Sequence, residues 1–484
     1  MNYSRTGVVA ILWVMAAICL TVAARPELST ASTPCPITFP SPHFVALGGD
    51  LRDILIDDTF THVYITHSDA GTVEVYSILD QVFGPPISVG SRPTGIDTTP
   101  DGSTMYVANY GSYDLSVVDL ANNVEVRRIA VPPRPIHPDG PFSIAIANNG
   151  KALFSTTFAG SGFGARMMEL DLSTDAVTHR MDFWSNGSTT ERTFLDASGD
   201  RSKIGIVVGD ASTGPVLAYT AATNSFSRVS HLDYSLYDIA LNGDGSRLLV
   251  SPTNDLLDAN LNLLGSIRFG GIGVAIDRTG LVGYTAYGSN VHPLDLDSFA
   301  RRDALPLGDT VDNGRGYNSI GRMALSADGS LLAVITDHGF SLVTVAAPPN
   351  QPPDCSAAAP SITEIWPPDH KMLSVEIFGV SDPDGDPTSI VITATTQDEP
   401  VNGLGDADTS PDAAGVGTDT AQVRAERAGT PKLRGDGRMY HIHFDASDGK
   451  GGACSGVVDV GVPHDQRLGH VVVDAGELFD STVP

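Results

Sequence analysis

Eight acidic residues and no lysine or arginine lie between residues 382 and 412, and their spacing suits a divalent cation. In the segment SDPDGD, Asp382, Asp384 and Asp386 alternate around a glycine turn. Ca²⁺ takes roughly six to eight hard oxygen ligands in a flexible geometry, and carboxylates supply such oxygens. Because uncompensated carboxylates repel one another, we predict a calcium site here. The competing interpretation is a solvated acidic loop that only keeps the protein soluble.

Other acidic residues of the same region could complete the calcium site. The segment lacks the glutamate that closes an EF-hand loop, so the ligands would have to come from several turns. The further candidate ligands are Asp398, Glu399, Asp406, Asp408, Asp445 and Asp448.

A second group of candidate residues combines arginines, a histidine and tyrosines, and could form a rim at one face of the fold. Such a rim would bind a glycan or a peptide. The alternative is ordinary hydrogen bonding inside a channel at the centre of the fold. The candidates are Arg92, Tyr110, His137, Arg192, Tyr237, Tyr317 and Arg322.

The elements that would position these side chains are strand–turn–strand units that occur seven times. Their starts are separated by 35 residues (Ile239 to Val274) to 50 residues (Ile144 to Phe194). One four-stranded propeller blade needs about 40–50 residues. We therefore predict an all-β fold, a seven-bladed β-propeller followed by a small β-sandwich. Six or eight blades are the alternatives if one weak copy of the repeat is misassigned. The copies begin near Ile54, Ile96, Ile144, Phe194, Ile239, Val274 and Met323.

The segment RPTGIDTTPDGSTMYVANYGSYDLSVVDLANNVEVRRIAV, residues 92–131, resembles the YVTN-type, lactonase-like seven-bladed propellers of secreted prokaryotic proteins. That group includes surface-layer proteins, binding proteins and some lactone hydrolases. The resemblance therefore implies a fold over residues 43–347 and leaves the activity open. The last copy supplies only three strands, so we expect the segment from His43 to provide its missing outer strand.

The C-terminal third differs in composition from the repeats. Residues 348–360 read as a proline-rich linker. Residues 361–464 contain short strands with Gly/Asp turns, which predict a β-sandwich. The phrases SDPDGD and DASDGKGG resemble Ig-like or cadherin-like modules appended to bacterial surface proteins. Residues 465–484 are predicted to form a flexible tail.

The first residues have the layout of a secretory signal peptide. An apolar run from Val8 to about Val22 follows Arg5 and leads into Ala23–Ala24. We predict a signal peptide over residues 1–24 and a lead-in over residues 25–42; the alternative is an uncleaved anchor. The mature protein would then have no transmembrane segment and would be extracellular, periplasmic or at the cell surface.

Export permits disulfides. Cys355 and Cys454 bracket the C-terminal module, so we predict that they pair, which leaves Cys35 as the odd cysteine.

The formal net charge is −28, and residues 351–484 carry 22 acidic against 8 basic residues, which argues against nucleic-acid and anionic membrane partners. Common catalytic motifs are absent, and the GxCxG string at residues 452–456 lacks the strand-to-helix context of a nucleophile elbow. We predict a recognition or adhesion protein whose propeller face binds a protein or glycan at the cell surface. The alternative is a secreted hydrolase of lactones or sugars that uses the propeller channel.

Overall fold

The protein is all-β over the residues that the computed structural model describes. One 3₁₀ turn, Ala221–Thr223, accompanies the strands, and no α-helix occurs in this described part. The described residues are 42–134, 139–157, 165–183, 188–190, 192–209, 215–229, 236–311, 322–346, 350–384, 386–404, 409–429, 435–466 and 472–483.

Seven antiparallel sheets of four or five strands are described between His43 and Thr344, and we number them in the order of their first strands. Strand β1 (His43–Ala46) comes first in the chain and belongs to sheet 7. Sheet 1 comprises β2 (Leu51–Ile56), β3 (His62–His67), β4 (Thr72–Ser77), β5 (Val82–Phe83) and β6 (Ile87–Ser88). Sheet 2 comprises β7 (Pro93–Thr98), β8 (Thr104–Asn109), β9 (Asp114–Asp119) and β10 (Val124–Ala130). Sheet 3 comprises β11 (Gly140–Ile146), β12 (Lys151–Thr157), β13 (Ala165–Asp171), β14 (Val177–His179) and β15 (Ser188–Thr189).

The remaining four sheets repeat this antiparallel arrangement. Sheet 4 comprises β16 (Thr193–Ala197), β17 (Lys203–Val208), β18 (Val216–Thr220) and β19 (Ser225–Val229). Sheet 5 comprises β20 (Asp238–Leu241), β21 (Arg247–Ser251), β22 (Asp255–Asp258) and β23 (Leu263–Ser266). Sheet 6 comprises β24 (Val274–Ile276), β25 (Val282–Asp295), β26 (Ala300–Arg301) and β27 (Leu305–Val311), and sheet 7 comprises β28 (Met323–Leu325), β29 (Leu331–Thr336) and β30 (Gly339–Thr344) with β1.

The first strands of the seven sheets contact one another in cyclic order. Strand β2 contacts β7, the contacts continue through β11, β16, β20 and β24 to β28, and β28 contacts β2. A cluster of buried apolar residues lies between each sheet and the next. The last cluster joins sheet 7 to sheet 1 through Phe340 and Ile65. Each sheet is therefore packed on both faces.

The N-terminal strand completes sheet 7. Strand β1 pairs antiparallel with β30, with His43 opposite Leu342 and Ala46 opposite Gly339. This confirms that the segment from His43 supplies the outer strand of the last sheet. The pairing covers a row of backbone groups on β30 that would otherwise form an open edge.

The C-terminal part contains three further sheets. They are β31–β33, β32–β36–β35 and β38–β37–β34–β39. Their strands are β31 (Ala359–Pro360), β32 (Met372–Val375), β33 (Ile377–Phe378), β34 (Ser389–Gln397), β35 (Ala413–Ala414), β36 (Ala421–Arg424), β37 (Arg438–Ser447), β38 (Ala453–Val462) and β39 (Phe479–Asp480).

One apolar core serves the two larger C-terminal sheets. Val375 and Val423 of the three-stranded sheet share it with Ile392, Phe444 and Val460 of the four-stranded sheet. Cys355 and Cys454 form a disulfide, as the sequence predicted, with their Cα atoms 5.9 Å apart. The bond ties the start of the C-terminal part to β38.

Part of the predicted C-terminal tail contacts the strands of the C-terminal part. Phe479 and Asp480 pair with β34. The carbonyl oxygen of Ser481 accepts hydrogen bonds from the amides of Asp412 and Ala413. The sequence reading missed this because one short apolar run gives no sign that a neighbouring strand offers a free edge.

Candidate functional site

The acidic loop of the C-terminal part brings three carboxylates together. One ligand oxygen from each of Asp382, Asp384 and Asp386 lies within 4.8 Å of the others, and all three residues are buried. The loop is shaped by Asp382 Oδ1, which accepts hydrogen bonds from the amides of Asp384 at 2.8 Å and Asp386 at 3.3 Å. Such a loop can present several oxygens to one divalent cation.

Only part of this negative charge is balanced. Arg278 Nη1 and Lys450 Nζ both donate to Asp386 Oδ1, at 2.6 and 2.8 Å. Asp382 Oδ2 and Asp386 Oδ2 are buried and accept no hydrogen bond. Burial raises the pKa of Asp382, because its charged form loses solvation. The loop can therefore accept a further positive charge.

Of the other predicted ligands that the structure describes, Asp448 is linked to the loop, whereas Asp398, Glu399 and Asp445 lie elsewhere. Asp448 is linked to the loop through Lys450, whose amide donates to Asp448 Oδ1 at 2.7 Å. Asp445 is exposed on β37 and accepts from Ser455 Oγ. Asp398 accepts from the amides of Met439 and Ala475. Asp406 and Asp408 lie outside the described residues.

Glu399 belongs to a separate buried network around Arg438. The fully buried Arg438 guanidinium contacts Asp412 at 2.6 Å and Glu399 at 3.3 Å. Gln397 Nε2 donates to Asp412 at 2.9 Å. Burial raises the pKa of Glu399. Glu399 is thus engaged by a protein cation, which the grouping of acids in sequence could not reveal.

The predicted rim residues within the described chain lie at one common end of their sheets. We refer to the end at which each first strand begins as the leading end, and to the opposite end as the turn end. Arg92 precedes β7, and its guanidinium stacks over the Tyr110 ring at 5.1 Å. Arg192 and Tyr237 precede β16 and β20 and are half-buried. His137 and Tyr317 lie outside the described residues.

Arg322 differs from the rim that the sequence predicted, because its side chain is only 12% exposed. It donates to Asp53 of sheet 1 at 2.6 Å and to Ser143 of sheet 3 at 3.3 Å. It also stacks over Phe194 of sheet 4 at 5.5 Å. A residue that touches sheets 1, 3 and 4 from sheet 7 lies at the centre of the cyclic arrangement.

Three carboxylates act on this arginine: the buried Asp53 and Asp238, and the partly buried Asp196. Burial raises the pKa of Asp196 to about 7 and that of Asp238 to about 6. Each also accepts a hydrogen bond from a backbone amide of the following sheet, Asp196 from Leu241 and Asp238 from Val274. The cavity beside Arg322 measures about 10 Å³. That space holds roughly one water.

An aromatic and basic cluster on sheet 6 was not predicted as a unit. Phe269 lies 5.5 Å from the Tyr287 ring and 4.6 Å from the His292 ring. The Arg301 guanidinium stacks over Phe269 at 4.2 Å. Tyr287 is 52% exposed. The available sequence signal was an aromatic residue beside the Gly270–Gly271 pair in the loop before β24.

No known protein-family profile and no curated protein matches the chain. Among solved structures, hydrazine synthase of Kuenenia stuttgartiensis is similar, with a TM-score of 0.50 and 16% sequence identity. The similarity covers 66% of this chain and 100% of the solved chain. Nothing helical in the described residues has the length and apolar character needed to cross a bilayer. At this identity the similarity indicates the fold alone, and the chain has a β-propeller-like all-β fold.

Proposed function

We propose that this protein is an exported recognition or adhesion protein, built from a seven-bladed β-propeller and a small β-sandwich. The cyclic contacts of seven first strands support the blade number. The core shared by two C-terminal sheets supports the sandwich. The Cys355–Cys454 disulfide supports an oxidising location outside the cytoplasm.

The observation that carries the recognition function is the position of Arg322. Its side chain fills the centre near the leading end and leaves a cavity of only about 10 Å³ beside it. This space is too small for a lactone or a sugar, so it gives no support to hydrolysis beside Arg322. The exposed groups at the leading end include the stack of Arg92 on Tyr110. Arginine and tyrosine are favoured at the centres of protein interfaces.

Binding of surface proteins and glycans by the full mature chain would test this function. We expect Arg92→Ala to weaken binding by tenfold or more, about 1.4 kcal/mol, which is typical for an interface arginine. Arg127→Ala is the matched control, because Arg127 lies on the outer strand β10 and pairs there with Asp175. Hydrolysis of a panel of lactones, measured in parallel, tests the alternative function. If the wild type hydrolyses a lactone and Asp196→Asn does not, the hydrolase function would be favoured over recognition.

We further propose that Asp382, Asp384 and Asp386 bind calcium. The support is the buried group of three carboxylates with two unpartnered oxygens. Calcium at about 100 times its Kd should stabilise the folded protein by about 2.7 kcal/mol, since it binds the folded loop. Thermal unfolding in calcium and in EDTA measures this. Asp382→Asn should abolish the shift, whereas Asp419→Asn, an exposed aspartate of the same module, should keep it.

A further inference from the structure

The acidic loop lies against the turn end of sheets 5 and 6. Gly243 follows β20, and a Cβ atom at this position would come within 2.5 Å of the Asp384 carbonyl oxygen. Arg278 follows β24 and donates to Asp386 Oδ1 at 2.6 Å. The loop that gathers the three carboxylates is therefore also a surface through which the C-terminal module contacts the propeller-like part.

The segment that joins the two parts is held by the same loop. Both the amide and the side-chain nitrogen of Gln351 donate to the Asp384 carboxylate, at 2.7 and 3.0 Å. Asn350 Nδ2 donates to Asp448 Oδ2 at 2.6 Å. Three separate pieces of chain thus converge on the loop: the joining segment, the module and the turn end of sheets 5 and 6.

Two features of the loop point to a ligand that is not one of these protein groups. The Asp386 side chain is 1% exposed, and both of its protein cations contact Oδ1. Its Oδ2 atom and the Oδ2 atom of Asp382 are buried without a hydrogen bond. Buried carboxylate oxygens without a partner are costly unless a cation or a donor satisfies them.

We propose that this loop is an interdomain latch, in which a divalent cation fixes the C-terminal module on the turn end of sheets 5 and 6. The inference rests on the proposed calcium site and adds that cation binding and docking form one coupled equilibrium. Docking holds the loop through Gly243 and Arg278 in the geometry that gathers the carboxylates. By linkage, whatever favours docking raises cation affinity, and the cation favours docking by the same factor.

The first test uses a residue that cannot bind the cation. Gly243→Ala places a methyl group against the Asp384 backbone, so we expect calorimetry on the full mature chain to show at least about fivefold weaker calcium binding, the lower range of such couplings. Gly270→Ala is the matched control, because a Cβ there meets nothing within 4 Å. Equal affinity in wild type and Gly243→Ala would overturn the latch but leave the calcium site standing.

The second test measures docking in the residues of the propeller-like part that contact the loop. Hydrogen exchange of residues 242–246, which bind no cation, should slow when calcium replaces EDTA. Because Gly243→Ala also places its methyl near the Arg278 carbonyl, Arg278→Gln provides an independent variant. It should raise exchange of residues 242–246 in EDTA, whereas Arg302→Gln, which loses an exposed ion pair with Asp295, should not.

The two proposals fail in different ways. If wild type binds no calcium at millimolar concentration, the proposed calcium site fails, and the latch fails with it. If calcium binds but protects only residues of the C-terminal module, the site stands and the latch is wrong. Protection of residues 242–246 that is reduced in Arg278→Gln supports the latch.

Discussion

Arg322 and Asp53 join the last sheet to the first, with Arg322 Nη1 2.6 Å from Asp53 Oδ2. The same carboxylate oxygen accepts the amide of Ile96 in sheet 2 at 2.9 Å. One buried aspartate therefore connects three sheets. Burial raises the pKa of Asp53, because solvation is lost. The arginine is thus needed to keep this carboxylate charged inside the protein.

Removal of this arginine should destabilise the fold strongly. Arg322→Met leaves Asp53 buried without its cation, which typically costs about 3–5 kcal/mol. Urea unfolding of the protein would measure the loss as a lower midpoint at unchanged slope.

An exposed ion pair provides the control for this prediction. Arg127 and Asp175 are both more than one third exposed, so Arg127→Met should cost less than about 1 kcal/mol. Adding Asp53→Asn to Arg322→Met should recover part of the loss, since the uncompensated charge disappears. An Arg322→Met variant as stable as Arg127→Met would show that the central pair contributes little.

Asp196 should make stability fall as the pH rises. Burial raises its pKa in the folded state from 3.8 to about 7. Between these values the unfolded chain has lost the proton that the folded chain keeps, so the unfolded state binds fewer protons and stability decreases with pH. The shift corresponds to a loss on the order of 3–4 kcal/mol between pH 4 and pH 8.

The variant Asp196→Asn isolates this contribution. Its amide oxygen can still accept the Leu241 amide, but the side chain no longer titrates. Its stability relative to wild type should therefore rise steadily from pH 4 to pH 8 in urea unfolding series. Asp200→Asn, at an exposed turn position, should show no such trend. Parallel pH curves for wild type and Asp196→Asn would contradict the assignment.

The sequence revealed the sheets well, because each repeat contains its own local signals. Alternating apolar residues predict strands. In the turns Asp101–Gly102 and Asp244–Gly245, the glycine has a φ of +66°, a backbone conformation that glycine adopts readily. The pairing of β1 with β30 was predictable from an incomplete last copy. These features depend on short-range order that is repeated along the chain.

The candidate sites were only partly predictable, because their members meet across long sequence separations. The grouping of Asp382, Asp384 and Asp386 followed from adjacent positions. The burial of Arg322 did not, since it depends on Asp53, which lies 269 residues away in sequence. Likewise, no local pattern indicates that Arg278 reaches Asp386 from another part of the chain.

The Cys355–Cys454 disulfide should stabilise the C-terminal module. It closes a loop with a sequence separation of 99 residues. Loop-closure entropy for about 100 residues corresponds to about 4.7 kcal/mol. The double variant Cys355→Ala/Cys454→Ala should lower the thermal midpoint of the module, and dithiothreitol should lower that of wild type to a similar value. A variant that unfolds at the wild-type temperature would contradict this prediction.

Loss of β1 should open sheet 7 and promote aggregation. A chain that begins at residue 47 lacks the strand whose four residues pair with Gly339–Leu342, so β30 becomes an exposed edge. We expect faster aggregation by light scattering and a lower thermal midpoint than for a chain that begins at residue 42. Both chains lack residues 1–41, so the comparison isolates β1 from everything that precedes it. A synthetic peptide with the sequence HFVA should restore little, because a free four-residue strand pays the entropy of ordering that chain connection avoids. If the chain from residue 47 were as soluble and stable as the longer one, the outer strand would not be needed to close the sheet.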